Sequence, residues 1–269
     1  MSGFSAEWLS LREPYDRAAR NRTVLGALAS AFAQQTSIAV VDLACGTGST
    51  LRAIRGKLPP RQTWRLVDND LGLLARAAAL GGPPELNVVI RPVDLVRDLE
   101  LALEGPLDLI TTSALLDLVS VEWLDRLALE AAARRLPVYA ALTYNGWAAV
   151  EPPDSLDLEI VACFNAHQRT DKGFGPALGP SAATRAAEGL KQIGYEVVHG
   201  RSDWVLGSSD RAIQEALFAG WAELAMQSTS LSCDLVSAWL DRRRSHLADG
   251  RSSLRLGHVD IFARPMSAR

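Results

Sequence analysis

Five short apolar runs recur along the first half of the chain, at 38–43, 63–68, 86–91, 107–112 and 137–143. Each is close to continuous rather than alternating, which is the pattern of a strand buried on both faces. Between them, at 50–57, 71–80, roughly 95–104 and 121–136, apolar residues return at helical spacing. Strand–helix alternation of this kind predicts a parallel sheet covered on both faces and joined by right-handed crossovers. Ahead of it, residues 5–35 read as helical, with Leu25, Leu28, Ala29 and Phe32 on one face and Pro14 dividing a short first helix from a longer second one.

The rhythm changes after the fifth run. Residues 145–180 are rich in Gly, Pro, Asp and Asn and read as a long loop, the kind that in compact domains is either functional or disordered. A helix is predicted at about 181–193, a strand at 195–205, helices over 209–227 and 231–247, and a last strand at 253–263. The two late helices read as an insertion, about 208–249, between the last two strands. With the N-terminal helical cap, 1–36, they are placed to form a lid. The expected architecture is one α/β domain over 1–269: a Rossmann-like, seven-stranded, mostly parallel sheet with helices on both faces.

Composition narrows the partners. Of 269 residues, 48% are hydrophobic and 22% charged, as in a globular protein with a large core, and the net charge of −3 gives no electrostatic footprint for nucleic acid. The clusters Arg134-Arg135 and Arg242-Arg243-Arg244 fall in helical patterns and read as solvated faces. Cys45, Cys163 and Cys233 lie far apart with no Cys-x-x-Cys, so neither a zinc knuckle nor a disulfide framework is suggested and a reducing, cytoplasmic compartment is expected. His199, His246 and His258 have no partner at metal-binding spacing. The N-terminus lacks the basic-then-apolar pattern of a signal peptide, and no apolar stretch is long enough to span a membrane.

The chemistry starts where the first strand ends, in Asp42-Leu43-Ala44-Cys45-Gly46-Thr47-Gly48. Gly46 and Gly48 allow positive φ and let a ligand lie against the backbone, beside the N–H groups of the next helix. The pattern is Asp-x-Ala-x-Gly-x-Gly; the third glycine of a dinucleotide fingerprint is absent, as is a Tyr-x-x-x-Lys hydride-site motif, which argues against a nicotinamide oxidoreductase. Asp68 ends the second run, 26 residues beyond Asp42, where nucleotide-binding α/β folds place a ribose-holding acid.

This loop resembles motif I of the class I S-adenosylmethionine (AdoMet)-dependent methyltransferases of small-molecule type, and Val67-Asp68-Asn69-Asp70 resembles the motif that follows it. The resemblance covers roughly 38–144, which makes 37–144 the AdoMet-binding half and 145–269 the acceptor half. It implies AdoMet as cofactor, with Asp68 on the ribose, Asn69 beside the adenine and Asp70 as a helix cap. Asp94 and Leu95 stand where the family meets the adenine amino group and ring, the role the resemblance implies; the alternative for Asp94 is the cap of a helix beginning at Leu95. Ser113 and Ala114 fall in the segment that lines the methionine end, or in a plain strand-to-helix turn. Asp42 is implied to bind loop N–H groups or, through water, the cofactor amine. Ala44 and Cys45 would contribute backbone. Tyr15, in a Tyr-Asp pair, would pack over the cofactor or belong to the core.

The resemblance fixes no catalytic residue, because methyl transfer chiefly needs alignment and exclusion of water. Asp117 stands just past the fourth strand and would orient or deprotonate an acceptor, or be a solvated acid. Tyr144 ends the fifth strand, at the edge where open α/β sheets bind ligands. His167 lies in the 145–180 segment, as a catalytic group or an exposed one. Asn/Asp-Pro-Pro-Tyr/Phe, a signature of base or glutamine methylation, is absent from the fourth-strand segment. The expected activity is transfer to a small-molecule acceptor, without nucleic acid, membrane or metal; the alternative is a non-catalytic regulator or partner subunit that binds AdoMet or S-adenosylhomocysteine.

Overall fold

A computed structural model describes residues 4–79, 81–228 and 231–266. Its helices are α1 (Ala6–Ala19), α2 (Arg22–Ala31), α3 (Ser49–Ile54), α4 (Leu71–Ala78), α5 (Leu99–Ala102), α6 (Val121–Ala133), α7 (Asp157–His167), α8 (Ala182–Gln192), α9 (Arg211–Met226) and α10 (Cys233–Ala248). Its strands are β1 (Ser37–Leu43), β2 (Arg61–Asp68), β3 (Leu86–Pro92), β4 (Leu109–Ser113), β5 (Val138–Glu151), β6 (Tyr195–Arg201), β7 (Trp204–Leu206) and β8 (Ser253–Pro265). They form one sheet in the order β3-β2-β1-β4-β5-β8-β6, with β7 also on β8. The first five strands are parallel, and β8 runs antiparallel to β5, β6 and β7. The expected Rossmann-like sheet is therefore present, with one difference. The strand predicted at 195–205 is broken at Ser202 and Asp203, which bond the backbone of His258 on β8, so eight strands are described instead of seven.

The period-2 logic of β1 divides the core. Val41 and Leu43 pack with α5, α6 and α8 on one face, while Ile38 and Val40 pack with α2, α3 and α4 on the other. A third cluster is built by α1, α7, α9, α10, β7 and the outer halves of β5 and β8. This cluster forms a cap over the carboxyl ends of the parallel strands.

Several predicted boundaries move. Pro14 does not divide the N-terminal helices: it lies inside α1 on an exposed face, as does Ser10, whose carbonyl loses its N–H partner to the proline. The division falls at Asn21, whose side chain accepts from Thr23 and Val24 N–H and caps α2. Only α1 then belongs to the cap over the site; α2 lies on the sheet. The 145–180 segment is not one long loop. β5 runs on to Glu151 and α7 follows, leaving a shorter connection before α8. The helix predicted over 95–104 is confined to α5. The one predicted over 71–80 ends in α4, with Leu80 outside the described residues. Arg243 is not on a solvated face. It is wholly buried, bonding Asp157 through two 2.6 Å contacts and the Pro152 carbonyl at 2.5 Å, and so fastens α10 to α7. Among the described residues no helix is long and apolar enough to cross a membrane.

Candidate active site

The turn after β1 is built from left-handed residues: Ala44 at φ 51°, Gly46 at 53° and Gly48 at 82°. Gly48 N–H donates to the Cys45 carbonyl at 2.8 Å, closing the turn, and Cys45 N–H donates to the Val67 carbonyl at 2.9 Å, tying it to β2. Gly46 N–H donates to Asp68 Oδ2 at 2.9 Å, and Asp70 N–H donates to Asp68 Oδ1 at 3.0 Å. A carboxylate has about four acceptor sites, so Asp68 keeps capacity for a ligand. Arg52 holds the turn from behind, donating to the Thr47 carbonyl at 2.6 Å and to Glu13 of α1 at 2.5 Å. Leu9 of α1 closes over Gly46, 3.1 Å from where a β-carbon would stand.

Two cavities open at the carboxyl ends of the parallel strands. The first, about 550 Å³, takes Ala44, Cys45 and Gly46 from the turn, Asp68 and Asn69 from the end of β2, Asp94 and Leu95 from beyond β3, and Ser113 and Ala114 from the end of β4. The second, about 490 Å³, lies under the cap and holds Asp117, Tyr144, Trp8, Phe164, Trp204, Trp221 and His258. Phe4, Arg12, Ala114 and Leu118 line both, so the cavities adjoin. Three neighbouring inner strands reach this region through left-handed, non-glycine residues: Ala44 after β1, Ala114 after β4 and Leu142 within β5, with φ of 51–55°. Such strain tends to gather at ligand sites.

The fold is similar to that of several solved structures. Among them are the cyclopropane synthase MmaA2 from Mycobacterium tuberculosis, at 10% identity over 97% of this chain and 95% of that one, TM-score 0.50, and YcgJ from Bacillus subtilis, at 10% identity over 92% and 100%, TM-score 0.51. A SAM-dependent methyltransferase from Thiobacillus denitrificans in complex with S-adenosyl-L-homocysteine superposes with TM-score 0.43 at 15% identity, over 99% of each chain. What this chain shares with the first two is the fold, an open, mostly parallel Rossmann-like α/β sheet covered by helices on both faces. No family model matches the sequence, and no curated protein matches it.

Within this fold, the residues expected around the cofactor fall into two groups. Those just named line the first cavity. Asp94 does not cap a helix at Leu95; its Oδ1 accepts from Val96 N–H at 2.9 Å in a turn that precedes α5. Asp70 is the cap of α4, accepting from Gly72 and Leu73 N–H at 2.8 and 3.0 Å. Ser113 Oγ accepts from Arg20 of α1's end at 3.3 Å. Gly48 shapes the turn without lining the cavity. Asp42 is fully enclosed behind the turn, where Thr111 Oγ1 donates to its Oδ1 at 2.8 Å and Oδ2 has no hydrogen-bond partner among the described residues. Burial pushes its carboxyl up to about 7, against the hydrogen bond from Thr111 and the charge of Arg20. Burial also raises the Cys45 thiol, keeping it protonated.

Tyr15 lies outside both linings. Its hydroxyl donates to Asp210 Oδ1 at 3.1 Å and its ring packs on Trp204, which is the core role. His167 closes α7 instead of sitting in a loop; it lines neither cavity, and its ring nitrogens lie 3.1 and 3.3 Å from Lys172 Nζ. Burial, then Lys172, hold its pKa below the usual value. Asp117, expected as an acceptor residue or a solvated acid, is buried in a single 3₁₀ turn at 116–118 and faces the second cavity. Tyr144 faces it too, with its hydroxyl donating to Asn165 Oδ1 at 2.8 Å.

Sequence reasoning missed Arg12 and Asp16. They form a buried, two-bond pair at 2.8 and 3.1 Å on α1, Trp204 Nε1 donates to Asp16 at 3.0 Å, and the guanidinium lies 5.0 Å from the Trp204 ring centre. Their i, i+4 spacing was visible in the same segment as Tyr15. Phe174 was missed as well. It covers the first cavity, braced edge-on by Trp123 at 5.4 Å, on a loop that Asp171 shapes by accepting from Gly173 and Gly175 N–H. Among the described residues no three His, Cys, Asp or Glu side chains gather as a metal site would require.

Proposed function

We propose that the chain, as one domain, transfers a methyl group from AdoMet to a small-molecule acceptor. The observation that carries this reading is the pair of adjoining cavities, one polar and built on the Gly turn, the other aromatic and under the cap, meeting at Ala114 and Arg12.

The residues present fit the cofactor part by part. Asp68 faces the first cavity with acceptor capacity left for a ribose diol. Asn69, Asp94 and Leu95 border the place for an adenine, and Asp94 Oδ2, 3.8 Å from Arg97 Nε and so not hydrogen-bonded to it, keeps capacity for an amino group. The small side chains of Ala44, Gly46, Ser113 and Ala114 leave room for close approach of the amino-acid end. Asp42 acts from behind, holding β1 to β4 through Thr111. Once bound, AdoMet supplies an electrophilic methyl on a sulfonium. The chain's own task is to align an acceptor, exclude water and receive a proton. Leu118, Phe4 and Ala114 supply apolar surface where the cavities meet. Burial raises the Asp117 carboxyl to about 6, in the range of a base that works near neutrality. Tyr144, whose proton is committed to Asn165, serves as wall.

Calorimetry with AdoMet, S-adenosylhomocysteine and NAD tests the cofactor. Binding of the first two is expected, and binding of NAD alone overturns the reading. Labelled-methyl transfer into a small-molecule extract then separates an enzyme from a protein that only binds AdoMet.

A further inference from the structure

Among the described residues, three buried polar atoms of residues lining the second cavity have no hydrogen-bond partner: Asp117 Oδ1, an acceptor, Trp221 Nε1, a donor, and His258 Nδ1, which is either according to tautomer. Asp117 is 5% exposed and His258 4%. The other Asp117 oxygen has a long, 3.4 Å contact from Gln168 Nε2, and the backbone N–H groups of Asp117 and Tyr144 also favour the carboxylate. A buried carboxylate oxygen without a donor is costly unless a ligand supplies one. His258 is neutral, because burial and the nearby charge of Arg12 push its pKa down to about 3, so it adds no positive charge to the cavity. The Tyr144 hydroxyl, having given its proton to Asn165, is left as a further acceptor.

The charges and the walls agree with this. The cation at the junction, Arg12, is matched by Asp16 and stacked on Trp204, so it is not free to bind an anionic acceptor. Exposed Glu223 adds a negative charge at the rim. Trp8, Trp221, Tyr144 and Phe164 supply aromatic walls, whose faces attract cations, while Trp204 already carries the Arg12 guanidinium.

We propose that the acceptor is an amine on an apolar or aromatic body, bound as its ammonium in this aromatic cage with Asp117 taking an N–H. The proposal names the acceptor of the methyl transfer above and rests on that reading for its chemical step. Asp117, in the turn that begins two residues past Ala114, lies beside the wall shared with the cofactor cavity. The ammonium passes one proton to Asp117 Oδ1, leaving a neutral amine. The nitrogen lone pair forms the N–C bond to the methyl carbon while the electrons of the broken S–C bond stay on sulfur. The methylated ammonium leaves, and Asp117 returns its proton to water, so charge and protons balance.

The test uses three probes on one body: 2-(1-naphthyl)ethylamine, 2-(1-naphthyl)ethanol and 1-naphthylacetate, each titrated calorimetrically into the full chain saturated with S-adenosylhomocysteine. The amine is expected to bind at least tenfold more tightly than the alcohol, with the carboxylate weakest. In Asp117→Asn the amine's advantage should fall at least fivefold while S-adenosylhomocysteine affinity, which also reports that the variant is folded, stays unchanged. Equal or tighter binding of the alcohol or the carboxylate overturns the proposal, as does an amine preference that survives Asp117→Asn, or no binding by any probe. Failure of S-adenosylhomocysteine to bind is a separate result. It removes the cofactor reading, and the same three titrations on the chain alone still decide whether the cage selects an amine.

Discussion

Gly46 gives its backbone N–H to Asp68 Oδ2 at 2.9 Å, so the turn after β1 and the acid after β2 are one unit. The bond fixes the carboxylate while leaving acceptor sites toward the cavity, and it orients the turn before any ligand arrives. Asp68→Ala should therefore lose both a ligand contact and this brace. Hydrogen bonds to charged groups contribute roughly 1.5–3 kcal/mol each, about tenfold or more in affinity per bond. Calorimetry with S-adenosylhomocysteine should show a loss of at least tenfold; unchanged affinity removes Asp68 from the site.

Ala114 is held at φ 51° where its backbone joins the two cavities. A left-handed conformation costs an L-residue about 1–2 kcal/mol, whereas glycine adopts it freely at an entropic cost of about 0.5–1 kcal/mol. Ala114→Gly should leave the protein equally stable or up to about 1 kcal/mol more stable in urea unfolding. A loss of more than 1 kcal/mol would show that the methyl group packs against something worth more than the strain.

Arg12 and Asp16 test the cap from below. Both are buried, and removing one member of a buried pair typically costs 3–5 kcal/mol, because the other charge is left without a partner. Arg12→Met should destabilise by about that amount. The double variant Arg12→Met/Asp16→Asn should recover part of it, since the asparagine carbonyl still accepts from Trp204 Nε1 without an unpaired charge. Urea unfolding of the parent, both single variants and the double closes the cycle, and additivity within about 0.5 kcal/mol would mean that the pair is not coupled.

The sheet was legible in the chain because its inner strands β1, β4 and the first half of β5 are buried on both faces and read as unbroken apolar runs, whereas the edge strand β3, with no buried residue, was legible from its apolar residues alone. The first cavity was legible for a related reason: Gly46, Asp68, Asp94 and Ser113 stand at or just beyond the ends of successive strands, so sequence order maps onto one sheet edge. The aromatic cavity has no such order. Trp8, Tyr144, Phe164, Trp204, Trp221 and His258 come from α1, β5, α7, β7, α9 and β8, and only tertiary packing brings them together. α7 was missed since its apolar residues are spread round the helix: Ile160 is fully buried while Leu158 is 82% exposed. Arg243 reads as a surface charge in sequence, and only Asp157 and the Pro152 carbonyl, more than eighty residues earlier, reveal it as a buried fastener.

Asp42 makes stability depend on pH in a direction opposite to that of a paired surface acid. Its carboxyl rises from an ordinary 3.8 to about 7 in the fold, because burial outweighs Thr111 and Arg20. The folded chain thus holds a proton that the unfolded chain releases, and its contribution is fully present below about 3.8 and lost as pH rises toward about 7. The upper limit of that loss is on the order of 4 kcal/mol. Asp42→Asn keeps a carbonyl for Thr111 and cannot ionise, so it should gain on the parent as pH rises from 4 to 7. Urea midpoints measured side by side remove the contributions of Asp117 and His258, which titrate in both proteins. A parent-minus-variant difference that stays flat across that window would mean that Asp42 is already ionised in the fold, with water or a rearranged Arg20 meeting its second oxygen.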